Sequence, residues 1–97
     1  NGEIIGKARV IKHTDQIGKI RKGDIVITPF TNSSFNVVMS LLGGIVTQGG
    51  GTLSHAGIIS REMGIPCVTD VLNAVNVVPN GAKVKLDGTN GKLYILD

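Results

Sequence analysis

The sequence has few cysteines and few aromatic residues. Its 97 residues include one Cys, no Trp, one Tyr and two Phe. The single cysteine, Cys67, excludes an internal disulfide and a zinc site made of several thiolates, and this usage is typical of a reducing cytoplasm. The scarcity of aromatic side chains and a net charge of only +3 argue against a surface built to bind nucleic acid.

Charged residues are missing from the middle of the chain. No Asp, Glu, Lys or Arg occurs among the 36 residues from 25 to 60. The most apolar part of this stretch, residues 37–46, is interrupted by Ser and Gly and is shorter than the ~20 residues that a transmembrane helix needs. No signal-peptide pattern opens the chain, and its first residue is Asn, as expected of a piece cut from a longer protein. We therefore predict a cytoplasmic domain whose uncharged middle serves another purpose.

Length and composition predict one α/β domain over residues 1–97. Ile and Val account for 23 residues and Gly for 14, which favours strands packed by helices and joined by tight turns. Strands are predicted over residues 3–12 and 25–28, the second one ended by Pro29. Ser33 or Ser34 is expected to cap a helix, because four apolar residues follow with one-face spacing: Phe35, Val38, Met39 and Leu42.

The sequence pattern in the second half of the chain predicts a βαβ unit followed by a hairpin. A strand over residues 45–47 leads through a glycine-rich loop into a helix over residues 55–63, which Gly64 ends. The apolar face of this helix is assigned to Ala56, Ile59 and Met63. A strand over residues 67–69 would then pair in parallel through a right-handed crossover. The alternation in residues 82–87, the turn after them and residues 92–96 predict an antiparallel hairpin.

The chemistry is expected in residues 49–57, where glycines deliver His55 to the first turn of a helix. The first backbone N–H groups of a helix and its dipole favour an anion. No Lys follows the glycines as a nucleotide-binding loop requires, and Ser54 stands where the dinucleotide fingerprint needs its third Gly. An imidazole is largely neutral near pH 7 and can attack phosphorus directly. The pattern therefore predicts that His55 becomes a covalent phosphoryl carrier.

Five neighbours of His55 are candidate phosphate-binding residues: Gly50, Gly51, Thr52, Ser54 and Gly57. Each has an alternative structural role, since Ser54 can serve only as a helix cap and the glycines only as turn or packing residues. Phosphoryl transfer would also explain the absence of charge in residues 25–60, because a carboxylate beside His55 would repel the incoming phosphoryl group. Phosphoryl transfer depends mainly on positioning and electrostatic stabilisation.

Residues 50–66 resemble the phosphohistidine signature of the phosphoenolpyruvate-utilising enzymes. The resemblance extends through residues 23–26, 28–29 and 45–47 to the closing Asp87-Gly88 with Gly91, and so covers nearly the whole chain. It implies the family's mobile, swivelling domain, a β/β/α fold in which a mixed sheet is packed by helices and the phospho-accepting histidine lies at a helix N-terminus. No metal or cofactor is expected in this domain itself.

The resemblance also implies a reaction and partners. His55 would be phosphorylated on Nε2 from ATP and would pass the group to pyruvate, giving phosphoenolpyruvate, as in the synthases of the family. The implied partners are an ATP-grasp-like nucleotide-binding domain, where ATP and Mg²⁺ are expected, and a barrel domain that binds phosphoenolpyruvate and pyruvate. Neither a nucleic acid nor a membrane is expected as a partner.

Two features leave the acceptor open. Leu53 stands where many members of the family have a regulated Thr, and its Leu-Ser-His pattern is shared with rifampicin phosphotransferases. The alternatives are therefore a rifampicin phosphotransferase, a pyruvate phosphate dikinase with the same carrier chemistry, or a non-catalytic anion-binding interaction module. Residues 32–33, Asn-Ser, also replace the Asp-Pro that is frequent in the family after the Thr-Pro turn.

The remaining polar residues are assigned ordinary roles. A metal site would need three or four ligands, and the second histidine, His13, has no matching Cys or Glu cluster and is interpreted as a surface residue. Cys67 follows Pro66 in an apolar strand and is interpreted as a core residue. The basic first third of the chain is interpreted as solvated surface, with docking to the rest of an enzyme as the alternative.

Overall fold

Six strands form one sheet in the computed structural model, which describes residues 2–49 and 55–96. The strands are β1 (Glu3–Val10), β2 (Ile25–Thr28), β3 (Gly44–Thr47), β4 (Cys67–Val68), β5 (Lys83–Asp87) and β6 (Lys92–Ile95). Their order in the sheet is β4-β3-β2-β1-β5-β6. Strands β1 to β4 pair in parallel, whereas β5 is antiparallel to both β1 and β6. The predicted mixed sheet, the parallel β3–β4 pair and the hairpin are confirmed.

Within the described residues, five short helices lie between the strands of this sheet. Two are α-helices, α1 (His55–Met63) and α2 (Ala74–Val77), and three are 3₁₀-helices, Thr14–Lys19, Ser33–Val37 and Met39–Leu41. The prediction of α1 is confirmed at both ends. Helix α2 and the 3₁₀-helix Thr14–Lys19 were not predicted, because their stretches contain no sustained apolar period of 3.6 residues. No helix among residues 2–49 and 55–96 is long and apolar enough to cross a membrane.

The α-helix predicted over residues 35–42 is wrong in type, although its apolar face is right. Two 3₁₀-helices replace it, and the cap is Asn32, whose Oδ1 accepts the N–H of Ser34 at 2.9 Å. The Ser, Asn and Val residues of this stretch are poor α-helix formers, so packing decides its shape. Three of the four predicted residues are buried and the fourth is half-buried, the buried three being Phe35, Met39 and Leu42.

Two apolar clusters fill the protein, one on each face of the parallel strands. The first contains Ala8, Ile25, Ile27, Val46, Val68, Ala74, Val78, Val84 and Leu86. The second, under α1 and the 3₁₀-helices, contains Ile11, Ile17, Ile20, Val26, Phe35, Met39, Leu42, Ile45 and Ala56. The sheet curls so that β5 packs over β3, since a Cβ built on Gly44 would lie 2.6 Å from Leu86 Cδ2. Parallel strands covered on both faces need uninterrupted apolar sequence, which β2 and β3 have.

Helix α1 ends in a Schellman motif, as Gly64 predicts. Gly64 has φ +71°, its N–H bonds the carbonyl of Arg61 at 3.3 Å, and the N–H of Ile65 bonds the carbonyl of Ser60 at 2.8 Å. The predicted face of the helix is partly wrong, because Met63 is 46% exposed and Ser60 is buried in its place. The small hydroxyl fits because it donates to the carbonyl of Gly57 at 3.2 Å within its own helix.

Candidate phosphoacceptor site

The candidate site lies at the edge of the sheet where β3 ends and α1 begins. Strand β3 ends at Thr47, and the structure confirms that His55 is the first residue of a helix, α1. Four predicted phosphate-binding residues lie outside the described residues, as does the His55 side chain: Gly50, Gly51, Thr52 and Ser54. Their roles stay predictions, and the described residues on either side show how the site is held.

Gly57 is the one predicted phosphate-binding residue that the structure describes. It lies in the first turn of α1 and is buried, and its carbonyl accepts the Ser60 hydroxyl at 3.2 Å. The helix runs beside β3 and β4, where a glycine allows close packing. Both alternatives for Gly57, a packing role and a contact to phosphate, stay predictions. No acidic side chain stands in the first turn of α1.

The stem of the loop, residues 47–49, is held on one side by the chain that follows β2. The N–H of Gln48 donates to the carbonyl of Pro29 at 3.1 Å, and the Thr47 hydroxyl donates to the carbonyl of Gly49 at 3.0 Å. Thr47 is fully buried. These bonds hold Gln48 and Gly49 against the sheet edge immediately before residues 50–54.

The other side of the stem is fixed by the segment that follows β4. The N–H of Val71 donates to the carbonyl of Thr47 at 3.0 Å, and the N–H of Val75 in α2 donates to Gln48 Oε1 at 3.0 Å. Asp70 and Asn73 adopt positive φ, 62° and 59°, which Asp and Asn tolerate better than most residues. The contacts of Val71 and Val75 with the stem were not predicted. The only signal for them in the sequence was the pair of turn-forming residues Asp70 and Asn73.

The uncharged stretch lies in one region of the molecule. It comprises β2, the two 3₁₀-helices after it, β3, the loop and the first two-thirds of α1. One acidic residue from outside the stretch nevertheless reaches this edge, because Asp70 is exposed and directly precedes Val71, which bonds the stem. The Asp70 carboxylate is held by the Thr69 hydroxyl at 3.1 Å. The edge is therefore depleted of carboxylates but not free of them.

Neither His13 nor Cys67 forms a second reactive centre with neighbouring groups. Among residues 2–49 and 55–96, no group of three or more His, Cys, Asp or Glu residues could hold a metal ion. His13 is exposed, as predicted. Burial raises the pKa of the Cys67 thiol, and a hydrogen bond with Ser60 and the charge of Arg61 only partly oppose this. A thiol with a raised pKa is a poor nucleophile, which agrees with a packing role.

Comparisons with known proteins agree with this architecture. A solved solution structure of Enzyme I superimposes with a TM-score of 0.69 at 26% identity, covering 81% of this chain and 33% of that one. A structure of the N-terminal domain of the nitrogen Enzyme I superimposes with a TM-score of 0.64 at 24% identity, covering 84% and 34%. The curled mixed sheet with its helices is thus similar to the fold of Enzyme I, and the predicted mixed sheet packed by helices is confirmed.

Curated relatives match over nearly the whole chain. The phosphoenolpyruvate synthase of Pyrococcus furiosus is 42% identical over 89 residues, covering 92% of this chain and 11% of the relative. The probable phosphoenolpyruvate synthase of Methanothermobacter thermautotrophicus is 38% identical, covering 96% and 14%. The rifampicin phosphotransferase of Bacillus subtilis is 36% identical, covering 98% and 11%. The chain therefore spans a small part of the length of these enzymes.

The sequence match to the family is equally extensive. Residues 20–91 match the family described as PEP-utilising enzyme, mobile domain. The matched region runs from the turn before β2 to the hairpin turn between β5 and β6, and so includes the loop and α1. With the glycine-led helix start at His55, the buried parallel strands and the shared fold, this chain belongs to the mobile domain family of the PEP-utilising enzymes.

Proposed function

We propose that this domain is the phosphohistidine carrier of a phosphoenolpyruvate synthase, with His55 as the residue that is phosphorylated. The observation that carries the proposal is the placement of His55 as the first residue of α1, directly after a glycine-rich loop whose stem is fixed on both sides. A helix N-terminus favours a phosphoryl group, and glycines allow a donor to approach closely.

The transfer has two steps at this residue. In the first, the unprotonated imidazole nitrogen attacks a phosphorus of ATP, an N–P bond forms, the P–O bond to the leaving group breaks, and the attacking ring releases its N–H proton to solvent. In the second, pyruvate loses a methyl proton to become the enolate, its oxygen attacks phosphorus, the N–P bond breaks and the ring takes up a proton, giving phosphoenolpyruvate and free histidine. ATP and Mg²⁺ belong to an ATP-grasp-like domain and pyruvate to a barrel domain, which the length of the relatives has room for.

The domain itself contributes the positioning of His55 and a surface with few carboxylates around it. The stem bonds fix where the loop starts, and the scarcity of carboxylates at the edge avoids repelling the phosphoryl oxygens. Such preorganisation acts without reorganisation during the reaction. The uncharged middle of the sequence is thereby given a role in the reaction as well as in packing.

A second candidate has specific support. The 36% identity to a rifampicin phosphotransferase over nearly the whole chain, together with the Leu-Ser-His pattern, fits a carrier that passes the group to a hydroxyl of a drug. The first step is the same in both candidates. They differ only in the domain that supplies the acceptor.

A chase experiment separates these candidates. The full-length enzyme is phosphorylated with labelled ATP, freed of nucleotide, and divided into samples that receive pyruvate or rifampicin. The proposal expects loss of label from the protein and its appearance in phosphoenolpyruvate with pyruvate alone. Label transferred to rifampicin alone would support the second candidate. Label that never becomes bound through an acid-labile bond would support the anion-binding module and contradict both.

A further inference from the structure

The ends of β2 and β3 are built alike. Each strand ends in a buried threonine, Thr28 with 2% and Thr47 with 0% of its surface exposed, and the two are paired directly across the parallel ladder. Each hydroxyl donates a hydrogen bond to the carbonyl two residues further on. Thr28 Oγ1 lies 3.4 Å from the oxygen of Phe30, and Thr47 Oγ1 lies 3.0 Å from that of Gly49. Two neighbouring strands therefore use the same side chain to shape the turn at the sheet edge.

The two turns lead to different parts of the protein. The turn after Thr28 leads to the 3₁₀-helix Ser33–Val37, which packs on the second apolar cluster. The turn after Thr47 leads through Gly49 to residues 50–54 and so to His55. The Thr47 bond is also the shorter of the two and lies in the usual range for a hydroxyl donor.

We propose that Thr47 is a positioning residue for phosphoryl transfer to His55. Its buried hydroxyl holds the carbonyl of Gly49, the last described residue before residues 50–54, at the end of β3. The start of α1 holds the other end of these residues through the packing of Ala56 on the second apolar cluster. With the residues on both sides held, the start of α1 keeps a fixed place relative to β3, and this place decides whether a donor phosphorus can reach His55 in reactive geometry. This inference rests on the proposed function and concerns the rate of its first step.

The expected effect is on rate because geometry controls this step. Transfer needs the imidazole and the phosphorus in near-attack geometry, and a displacement of about 1 Å can cost on the order of 100-fold in rate. Valine has nearly the shape of threonine but no hydroxyl, so Thr47→Val would release the Gly49 carbonyl while keeping most of the packing. Serine keeps the hydroxyl and loses only the methyl group.

The experiment compares Thr47→Val and Thr47→Ser with Thr28→Val as the matched control, all in the full-length enzyme. The single-turnover rate of His55 phosphorylation is measured with the KM for the nucleotide. Thr47→Val is expected to be roughly 10- to 100-fold slower with an unchanged nucleotide KM, because another domain binds the nucleotide. Thr47→Ser is expected to restore most of the rate. Thr28→Val is expected to lose much less rate than Thr47→Val, because its 3.4 Å bond holds Phe30 and affects Gln48 only through the neighbouring Pro29 carbonyl.

Thermal unfolding of the same variants separates positioning from stability. Thr47→Val and Thr28→Val each remove one buried hydroxyl, so similar losses of Tm are expected, while the loss of rate is expected to be much larger in the first variant. If Thr47→Val does not fold, the pair Thr47→Ser and Thr47→Ala repeats the comparison with a smaller side chain. A wild-type rate in Thr47→Val, an equal loss in Thr28→Val, or no recovery in Thr47→Ser overturns the inference and leaves the proposed function intact. A wild-type enzyme without phosphate on His55 overturns both.

Discussion

The parallel and antiparallel halves of the sheet differ in how many of their residues are buried. In the parallel half, β2 and β3 are buried at every position, with one apolar cluster on each face. In the antiparallel half, β5 alternates between buried and more exposed residues, and no residue of β6 is fully buried. The outer face of this half carries charged side chains, and Lys85 Nζ lies 5.0 Å from the ring centroid of Tyr94. One sheet thus contains a part closed to water and a part open to it.

This difference separates two causes of the uncharged stretch. Burial on both faces explains why β2 and β3 contain no charge. Burial does not explain the residues between these strands, where several side chains are exposed and still uncharged: Phe30, Asn32, Ser33, Ser34, Asn36, Val37 and Ser40. Exposed positions usually carry many of a protein's charges, so the segment between these strands is depleted of charge, although Lys12 and Asp15 line a pocket together with Phe30 and Asn32.

Replacing an isoleucine by aspartate is expected to change the free energy of unfolding by very different amounts in the two halves. Ile45 in β3 is fully buried, so Ile45→Asp places an unpaired carboxylate in the core, and we expect a loss of more than about 4 kcal/mol, enough to prevent folding. Ile5 in β1 is 55% exposed and pairs with Lys85 of β5, so Ile5→Asp is expected to cost no more than about 1 kcal/mol. Circular dichroism and urea unfolding measure both. Equal tolerance of the two changes would contradict the division of the sheet.

A smaller effect is expected where the chain packs tightly at the start of β3. A Cβ on Gly43 would lie 2.7 Å from the carbonyl oxygen of Gly23, a backbone atom with little freedom to move. We expect Gly43→Ala to cost about 1–3 kcal/mol, seen as a lowered Tm. Gly18 has open space around its Cβ position, so Gly18→Ala is expected to be neutral or to stabilise by up to about 1 kcal/mol. A Gly43→Ala variant with wild-type Tm would show that this contact is not tight.

The smallest effect is a pH dependence in the antiparallel half. The Asp87 carboxylate accepts Asn90 Nδ2 at 2.7 Å and the N–H groups of Asn90 and Thr89 at 3.0 and 3.1 Å, and these bonds lower its pKa. The folded state therefore favours the ionised form. This stabilisation is present above the unfolded-state pKa and is lost as the pH falls through the folded-state pKa.

Urea unfolding at a series of acidic pH values measures this contribution. The wild-type protein is expected to lose stability as the pH falls, and Asp87→Asn is expected to flatten that dependence. Asn90→Ala removes one donor and should give an intermediate slope. The same slope in Asp87→Asn as in the wild type would assign the pH dependence to other groups.

Much of the fold could be predicted from the sequence because its local signals agree with its packing. The run Ile25 to Thr28 before Pro29, the hairpin turn after Asp87 and the glycine at position 64 each specify a structure through backbone chemistry that the surroundings do not change. The start of α1 at His55 was predictable for the same reason, since a glycine loop and a possible cap precede an apolar helical period.

The rest depends on contacts between distant residues. Val75 lies 27 residues after Gln48, and nothing in either local sequence predicts that the N–H of one meets the side chain of the other. Contacts between distant residues also explain the two 3₁₀-helices, Ser33–Val37 and Met39–Leu41, that replace the predicted α-helix. The local sequence determines which face is apolar, but packing selects the helix type. The exposed Asp70 is a third case, since it is distant from Thr47 in sequence but directly precedes Val71, whose N–H bonds the Thr47 carbonyl.

Phosphorylation of His55 can be measured by locating phosphate on the protein. The full-length enzyme, with His55→Ala and His13→Ala variants, is incubated with ATP, kept alkaline to preserve phosphohistidine, digested, and analysed by mass spectrometry. The account predicts one phosphoryl group on the peptide that contains His55 in the wild type and in His13→Ala, and none in His55→Ala, which should fold normally. Phosphate elsewhere, or none on His55 in an enzyme that consumes ATP, would contradict the account.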